Sequence, residues 1–412
     1  MRRDDEIIRL LRKNNDKKDM NDIGIDISDT IADFVENGKD IDVNNFFVQC
    51  RKKLINGNDI VLATLVGLTK THSSDRVRSL LSTCPPQSVM RRFYQMAVAL
   101  SAFYRYDISE APELLRDAVI ESVGAGDHFN DLANLIQICF YMESVTWPNE
   151  VRFPKPPLEI LAANSYGNSP YTCTFICDPV YCRYYAGRFI DSLRRTAGDI
   201  DVFALVVNPD QGALDLLRAF EGVTIAKTEY SGEWGGEFCT CARFMLANEI
   251  MRAVNAPMIF MDVDSFFPEG SDAFLSKISK QSLAYAEFDN VSPALRVTAS
   301  VLGARPCEDA EKFFDFSTDC MREGMAREGW LWGLDQLSLY HAVCHGQQNG
   351  WDMAKIDECM GQSQGFIVDF FSQGEHVQSL DQRRSERTNN AYRFIGFASD
   401  KRVLFSRKTT TI

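Results

Sequence analysis

Residues 258–261, Met-Ile-Phe-Met, run straight into Asp262-Val263-Asp264, and this junction constrains the fold more tightly than any other stretch of the chain. Four consecutive large apolar side chains leave no polar face. A strand tolerates that pattern when both of its faces are covered, as in the middle of a parallel sheet. Ligands of open α/β sheets gather beyond the carboxyl ends of such strands. Two carboxylates placed there, one residue apart, offer an oxygen-rich site suited to a hard divalent cation. Asp-x-Asp also occurs at Asp40–Asp42 and Asp199–Asp201. The first lies in an acidic, helix-like region. The second precedes the apolar run Val202–Val207 and so stands at the amino end of a strand, away from the ligand edge. Only Asp262 and Asp264 close a buried strand.

A chain of 412 residues exceeds one typical domain, and its patterning changes part-way along. Residues 1–150 show apolar positions at i, i+3 and i+4, as in Met90-Phe93-Met96-Ala97-Leu100 and Leu132-Leu135-Ile136-Cys139-Phe140. They are expected to form an all-helical domain, with aromatic residues such as Phe93 and Tyr94 in its core. The proline-rich stretch from Trp147 to Pro157 is a stiff join. From there to residue 412, strand and helix patterns alternate. Strands are expected at Thr172–Cys177, Val202–Val207, Val223–Ala226, Met258–Met261, Leu283–Phe288, Ala294–Leu302 and Gly365–Phe371. Helices are expected near Tyr184–Arg195, Ala213–Phe220, Thr240–Val254, Asp272–Ile278, Glu308–Met325 and Leu337–Cys344. The fold class is therefore α/β, with a mostly parallel, Rossmann-like sheet, preceded by an all-α domain.

The formal charge of −13 is spread over both parts, which argues against nucleic acid as a partner. No apolar run reaches the roughly eighteen residues of a membrane span, so no transmembrane segment is expected. The first eighteen residues are charge-rich and lack a signal-like apolar core. A cytoplasmic location is expected, with the twelve cysteines reduced. His341, Cys344 and His345 share one helix face at metal-ligand spacing, but without the glutamate of a zinc protease.

From about Tyr171 to His376 the sequence resembles the GT-A domain of nucleotide-sugar-dependent glycosyltransferases. The resemblance is carried in order by the first strand and helix with Asp178, Tyr181 and Ser192-Leu193, then by the helix Arg243-Phe244-Met245-Leu246. The Asp262-Val263-Asp264 strand and Trp332-Gly333-Leu334-Asp335-Gln336 follow. The helical part is not covered. The resemblance implies a sugar transferred from a nucleotide-diphosphate donor to a hydroxyl acceptor, such as a glycan, a lipid-linked glycan or a protein. It also implies Mn²⁺ or Mg²⁺ held by the Asp pair. Asp264 is then a direct metal ligand, and Asp262 binds the ribose or a water on the metal. Asp178 and Tyr181 match the region that receives the nucleoside. Arg243 matches a position that contacts donor phosphate or sugar. Asp335 lies on the acceptor side, as a general base or as an anchor for the sugar, and His376 is a further metal ligand. Each has a plainer reading beside it: an ion pair for Arg243, a turn for Asp178, packing for Tyr181 and a helix cap for Asp335.

Rival readings fit less well. Asp262 to Phe267 also resembles the metal motif of lesion-bypass DNA polymerases, but those chains are basic and place it near the amino terminus. A phosphatase with an aspartyl nucleophile wants Thr or Val where Phe266 stands. The alternative outside catalysis is a helical interaction protein whose GT-A-like domain binds a nucleotide sugar without turning it over.

Overall fold

The computed structural model describes residues 74–104, scattered helical positions up to 121, and residues 153–232, 235–267, 270–287, 296–326, 333–356 and 368–369. The described residues before 147 belong to one compact unit and those from 153 onward to a second. In the first, α1 (Ser74–Thr83) and α2 (Val89–Tyr104) are helices. Phe93, Met96, Ala97 and Leu100 of the expected stripe are fully buried in α2, and Met90 nearly so. The other helices expected before residue 150 lie outside the described residues, apart from those scattered positions.

The second unit is α/β, built on one eight-stranded mixed sheet. Its strands are β1 (Glu159–Ala162), β2 (Thr172–Cys177), β3 (Asp201–Val207), β4 (Val223–Thr228), β5 (Met258–Met261), β7 (Leu283–Glu287), β8 (Val297–Ala304) and β9 (Met353–Lys355). Their order is β1-β4-β3-β2-β5-β8-β7-β9. β6 (Ser265–Phe266) stands apart and pairs antiparallel with β10 (Val368–Asp369). Every residue of β2, β3 and β5 is buried, which is why these strands read as unbroken apolar runs.

The helices that punctuate the strands are α3 (Gly187–Ala197), α4 (Gln211–Arg218), α5 (Gly235–Met245), α6 (Ala247–Val254), α7 (Ser271–Ile278), α8 (Glu308–Met325) and α9 (Leu334–Asn349). α3 is entered through a helical turn at Pro179–Tyr181 and a π-helical segment at Cys182–Ala186. The single helix expected at Thr240–Val254 starts earlier and divides: α5 begins at Gly235, and Leu246 separates it from α6.

Topology sets where a ligand can go. β4, β3, β2 and β5 run parallel to one another, and β8 is reversed between β5 and β7. From β2 the chain moves outward through β3 to β4, then returns to place β5 on the other side of β2. The carboxyl ends of β2 and β5 therefore flank the point where the winding changes direction, the usual place for a crevice in such sheets.

Close packing fixes the carboxyl end of β8. Gly303 pairs with Ile259 on one side and Ala284 on the other. A Cβ there would come within 2.8 Å of the Ile278 carbonyl oxygen. Because that neighbour is backbone, Gly303→Ala is expected to destabilise this unit by about 1–3 kcal/mol in urea unfolding. An unchanged midpoint would mean that α7 yields easily.

Candidate functional site

The Asp-x-Asp residues lie at the carboxyl end of β5 as a turn, with Val263 buried between half-buried Asp262 and Asp264. The Ser265 N–H donates to the Asp262 carbonyl at 3.1 Å and closes this turn into β6. The Asp262 N–H donates to the Ser300 carbonyl at 3.2 Å, tying the turn to β8. β10 then pairs with β6 so that Asp369 lies opposite Ser265, next in the chain after Asp264. The second pair behaves differently. Asp201 begins β3 and accepts hydrogen bonds from Ser165 Oγ at 2.9 Å and the Tyr166 N–H at 2.6 Å, a structural role at the opposite end of the strand.

Arg243, on α5, meets Asp262 directly. Its Nη1 donates to Asp262 Oδ1 at 2.8 Å and its Nη2 to the Ala299 carbonyl on β8 at 2.7 Å. The guanidinium is 2% exposed and lies 4.6 Å from the centre of the Phe244 ring. The plainer expectation, an ion pair, is therefore met, but the arginine is buried rather than on a helix surface. The amino end of α5 is steadied by Tyr230, whose ring stacks on Phe238 at 4.3 Å. Asn208, in the left-handed region with φ 47°, accepts from the Tyr230 N–H at 3.0 Å.

Asp335 joins the same cluster. Gly333 caps α9 with φ 95°, a conformation that favours glycine, so Asp335 is the second helical residue and not the cap. Its carboxyl is buried, at 4% exposure. Burial pushes its pKa up to about 6, against the pull of the Arg243 charge and of the Gln336 N–H; the Asp262 carboxylate pushes it further up. Arg243 thus acts electrostatically on two carboxylates contributed by distant parts of the chain. Neighbouring Cys241, on the same helix, feels both Asp335 and Glu237, and its thiol is held far above the usual range by burial. Glu237 is a buried acid of α5 that the sequence does not single out, because a glutamate in the first turn of a helix is ordinarily a solvated one.

At the end of the adjacent strand, Asp178 directly follows β2. Its Oδ1 accepts the Tyr181 N–H at 2.8 Å, so it caps the helical turn. Tyr181 packs on Tyr185 with ring centres 5.3 Å apart. Both plainer readings hold, while both residues remain at the ligand edge of the sheet. The chain matches no protein-family model and no curated protein.

His376 lies outside the described residues, as does Trp332. Among the described residues no three histidine, cysteine or acidic side chains converge as a metal group. The zinc reading of His341, Cys344 and His345 is not supported. His345 stacks on Phe316 at 4.3 Å, burial pushes the Cys344 thiol up to about 12, and burial holds His341 down to about 4. For Mn²⁺ or Mg²⁺, the oxygen chemistry of Asp262 and Asp264 is suitable. Two carboxylates fit a cation that draws its remaining ligands from water and substrate phosphates, not one caged by protein. Among the described residues no helix is long and apolar enough to cross a membrane.

Proposed function

We propose that this chain is a metal-dependent glycosyltransferase of the GT-A type, moving a sugar from a nucleotide-diphosphate donor to a hydroxyl acceptor. The observation that carries the reading is that Arg243 pairs with Asp262 while its charge also acts on buried Asp335, beside the reversal point of the sheet, with Asp264 two residues on. These residues come from three separate motifs of the resemblance. Chance placement of three loosely spaced motifs would scatter them.

In this reading the nucleoside lies along the carboxyl end of β2, against Asp178 and Tyr181. Asp264 and Asp262 hold Mn²⁺ or Mg²⁺ against the diphosphate. Once bound, the cation neutralises the charge that the leaving diphosphate gains. Asp335 stands where the sugar and its acceptor meet. A carboxyl with a pKa near 6 is largely ionised at neutral pH, yet basic enough to accept a proton from an incoming hydroxyl. Its burial also suits it to anchor a sugar hydroxyl in a site closed to water.

The test is a thermal-shift series with the common nucleoside diphosphates and their sugars, with and without Mn²⁺. Binding to the folded state raises the melting temperature by mass action, by about 2.7 kcal/mol of stability at a ligand concentration a hundredfold over Kd. One base should give a Mn²⁺-dependent rise, and the matching nucleotide sugar should be slowly hydrolysed without acceptor. A shift without hydrolysis would favour a domain that binds but does not turn over. No shift with any base would remove the proposal.

A further inference from the structure

We propose that Arg243 is a positioning residue that sets Asp262 for the cation, and that it makes no contact with the donor itself. This rests on the glycosyltransferase reading above. Its own grounds are geometric. Both Nη atoms of the guanidinium are already committed, one to Asp262 Oδ1 at 2.8 Å and one to the Ala299 carbonyl at 2.7 Å. With 2% of the side chain exposed, little surface is left for a phosphate to approach.

The planar fork explains why arginine occupies this position. Its two Nη groups diverge at a fixed angle. With one fixed on the β8 backbone and the other on Asp262, the carboxylate's position is referred to a rigid sheet strand. The ion pair takes Oδ1 and leaves the second oxygen of Asp262 for another partner. The Asp262 backbone is also held to β8 through Ser300, so backbone and side chain of this aspartate are both tied to the same strand. A lysine keeps the charge but cannot hold both acceptors in one plane. Partners that orient a metal ligand from behind typically change metal affinity by about 10–100-fold when lost.

The experiment measures, by calorimetry, how much Mn²⁺ is needed for half-maximal binding of whichever nucleoside diphosphate the thermal-shift series selects. Arg243→Lys and Arg243→Gln are compared with wild type, each first checked by its melting curve. The expected result is a Mn²⁺ requirement raised by roughly tenfold or more in Arg243→Lys, with metal-free nucleotide binding unchanged. Asp262→Asn should show the same direction, and adding Arg243→Lys to it should produce little further change, because the arginine acts through that carboxylate. If Arg243→Lys lacks the wild-type melting curve, Arg243→Gln and the Asp262→Asn background carry the comparison. An unchanged Mn²⁺ requirement in a wild type that does bind the nucleotide overturns this inference and leaves the proposed function standing. Equal loss of metal-free and metal-dependent binding makes Arg243 a nucleotide contact and also overturns it. A wild type that binds no nucleoside diphosphate under either condition overturns both.

Discussion

Asp335→Asn is expected to lower sugar transfer by about 10²–10⁴-fold if the carboxylate is the general base, while making the free protein more stable at neutral pH. The second effect follows from the raised pKa. Burial lifts the Asp335 carboxyl to about 6, above its value in an unfolded chain, so the folded state binds this proton more tightly. Below about pH 4 the group is protonated in both states and nothing is lost. As pH rises from about 4 to about 6 the unfolded chain ionises first, and folding stability falls. Above pH 6 the loss levels off at about 3 kcal/mol, the equivalent of a displacement of about two pH units. Asparagine resembles the protonated acid and escapes that loss. Melting curves of the two proteins should therefore converge near pH 4 and separate by pH 7, with the variant higher. A variant that melts lower at pH 7 would mark Asp335 as a structural carboxylate. One that transfers sugar normally would remove it from the chemistry.

Asp264→Asn is expected to weaken Mn²⁺-dependent nucleotide binding by at least about tenfold and to suppress transfer with it, since a direct ligand should matter no less than an outer partner. Removing one charge from a site with two carboxylates reduces its attraction for a hard cation, while the half-buried amide keeps the shape of the turn. Asp201→Asn is the control. It belongs to the other Asp-x-Asp of this unit, at the far end of β3, and should cost stability through Ser165 and Tyr166 without changing the Mn²⁺ requirement. Wild-type affinity in Asp264→Asn, measured by calorimetry with Mn²⁺ and nucleotide, would place the metal elsewhere.

Much of this unit is legible in the sequence. β2, β5 and α8 occupy the residues their apolar patterns indicate, and the Asp pair does close a buried central strand. The direction of β8 is not legible, because a strand buried on both faces carries no trace of which way it runs. The sheet is consequently mixed, while β4, β3, β2 and β5 keep the expected parallel arrangement. β1, β6 and β9 escape notice because two to four residues hold no usable periodicity. The last strand, expected over Gly365–Phe371, is described only at Val368–Asp369.

In the site, the sequence names the residues but not their relations. Arg243 and Asp262 are 19 residues apart, and Asp335 is far beyond both. Nothing local reveals that one guanidinium pairs with one of these carboxylates and acts through its charge on the other. Asp335 looks like a helix cap because capping aspartates are common at such junctions. Only the left-handed Gly333 shows that the cap position is already taken.

α9 has one further consequence. Eleven of its sixteen residues are buried, including the unbroken run Leu337–Cys344, so it is enclosed almost all round. The backbone amides of that run should exchange with deuterium only when the whole unit opens, whereas those of Leu334 to Gln336, ahead of the first intrahelical bond at Leu337, can exchange through local fluctuations. Asp335 therefore stands at the exchanging end of a protected helix, while the Asp262 amide, bonded to Ser300 of β8, is held by the sheet. In the proposed reading, Asp262 is then the part of the site that is fixed in advance, and Asp335 lies where the helix first begins to open.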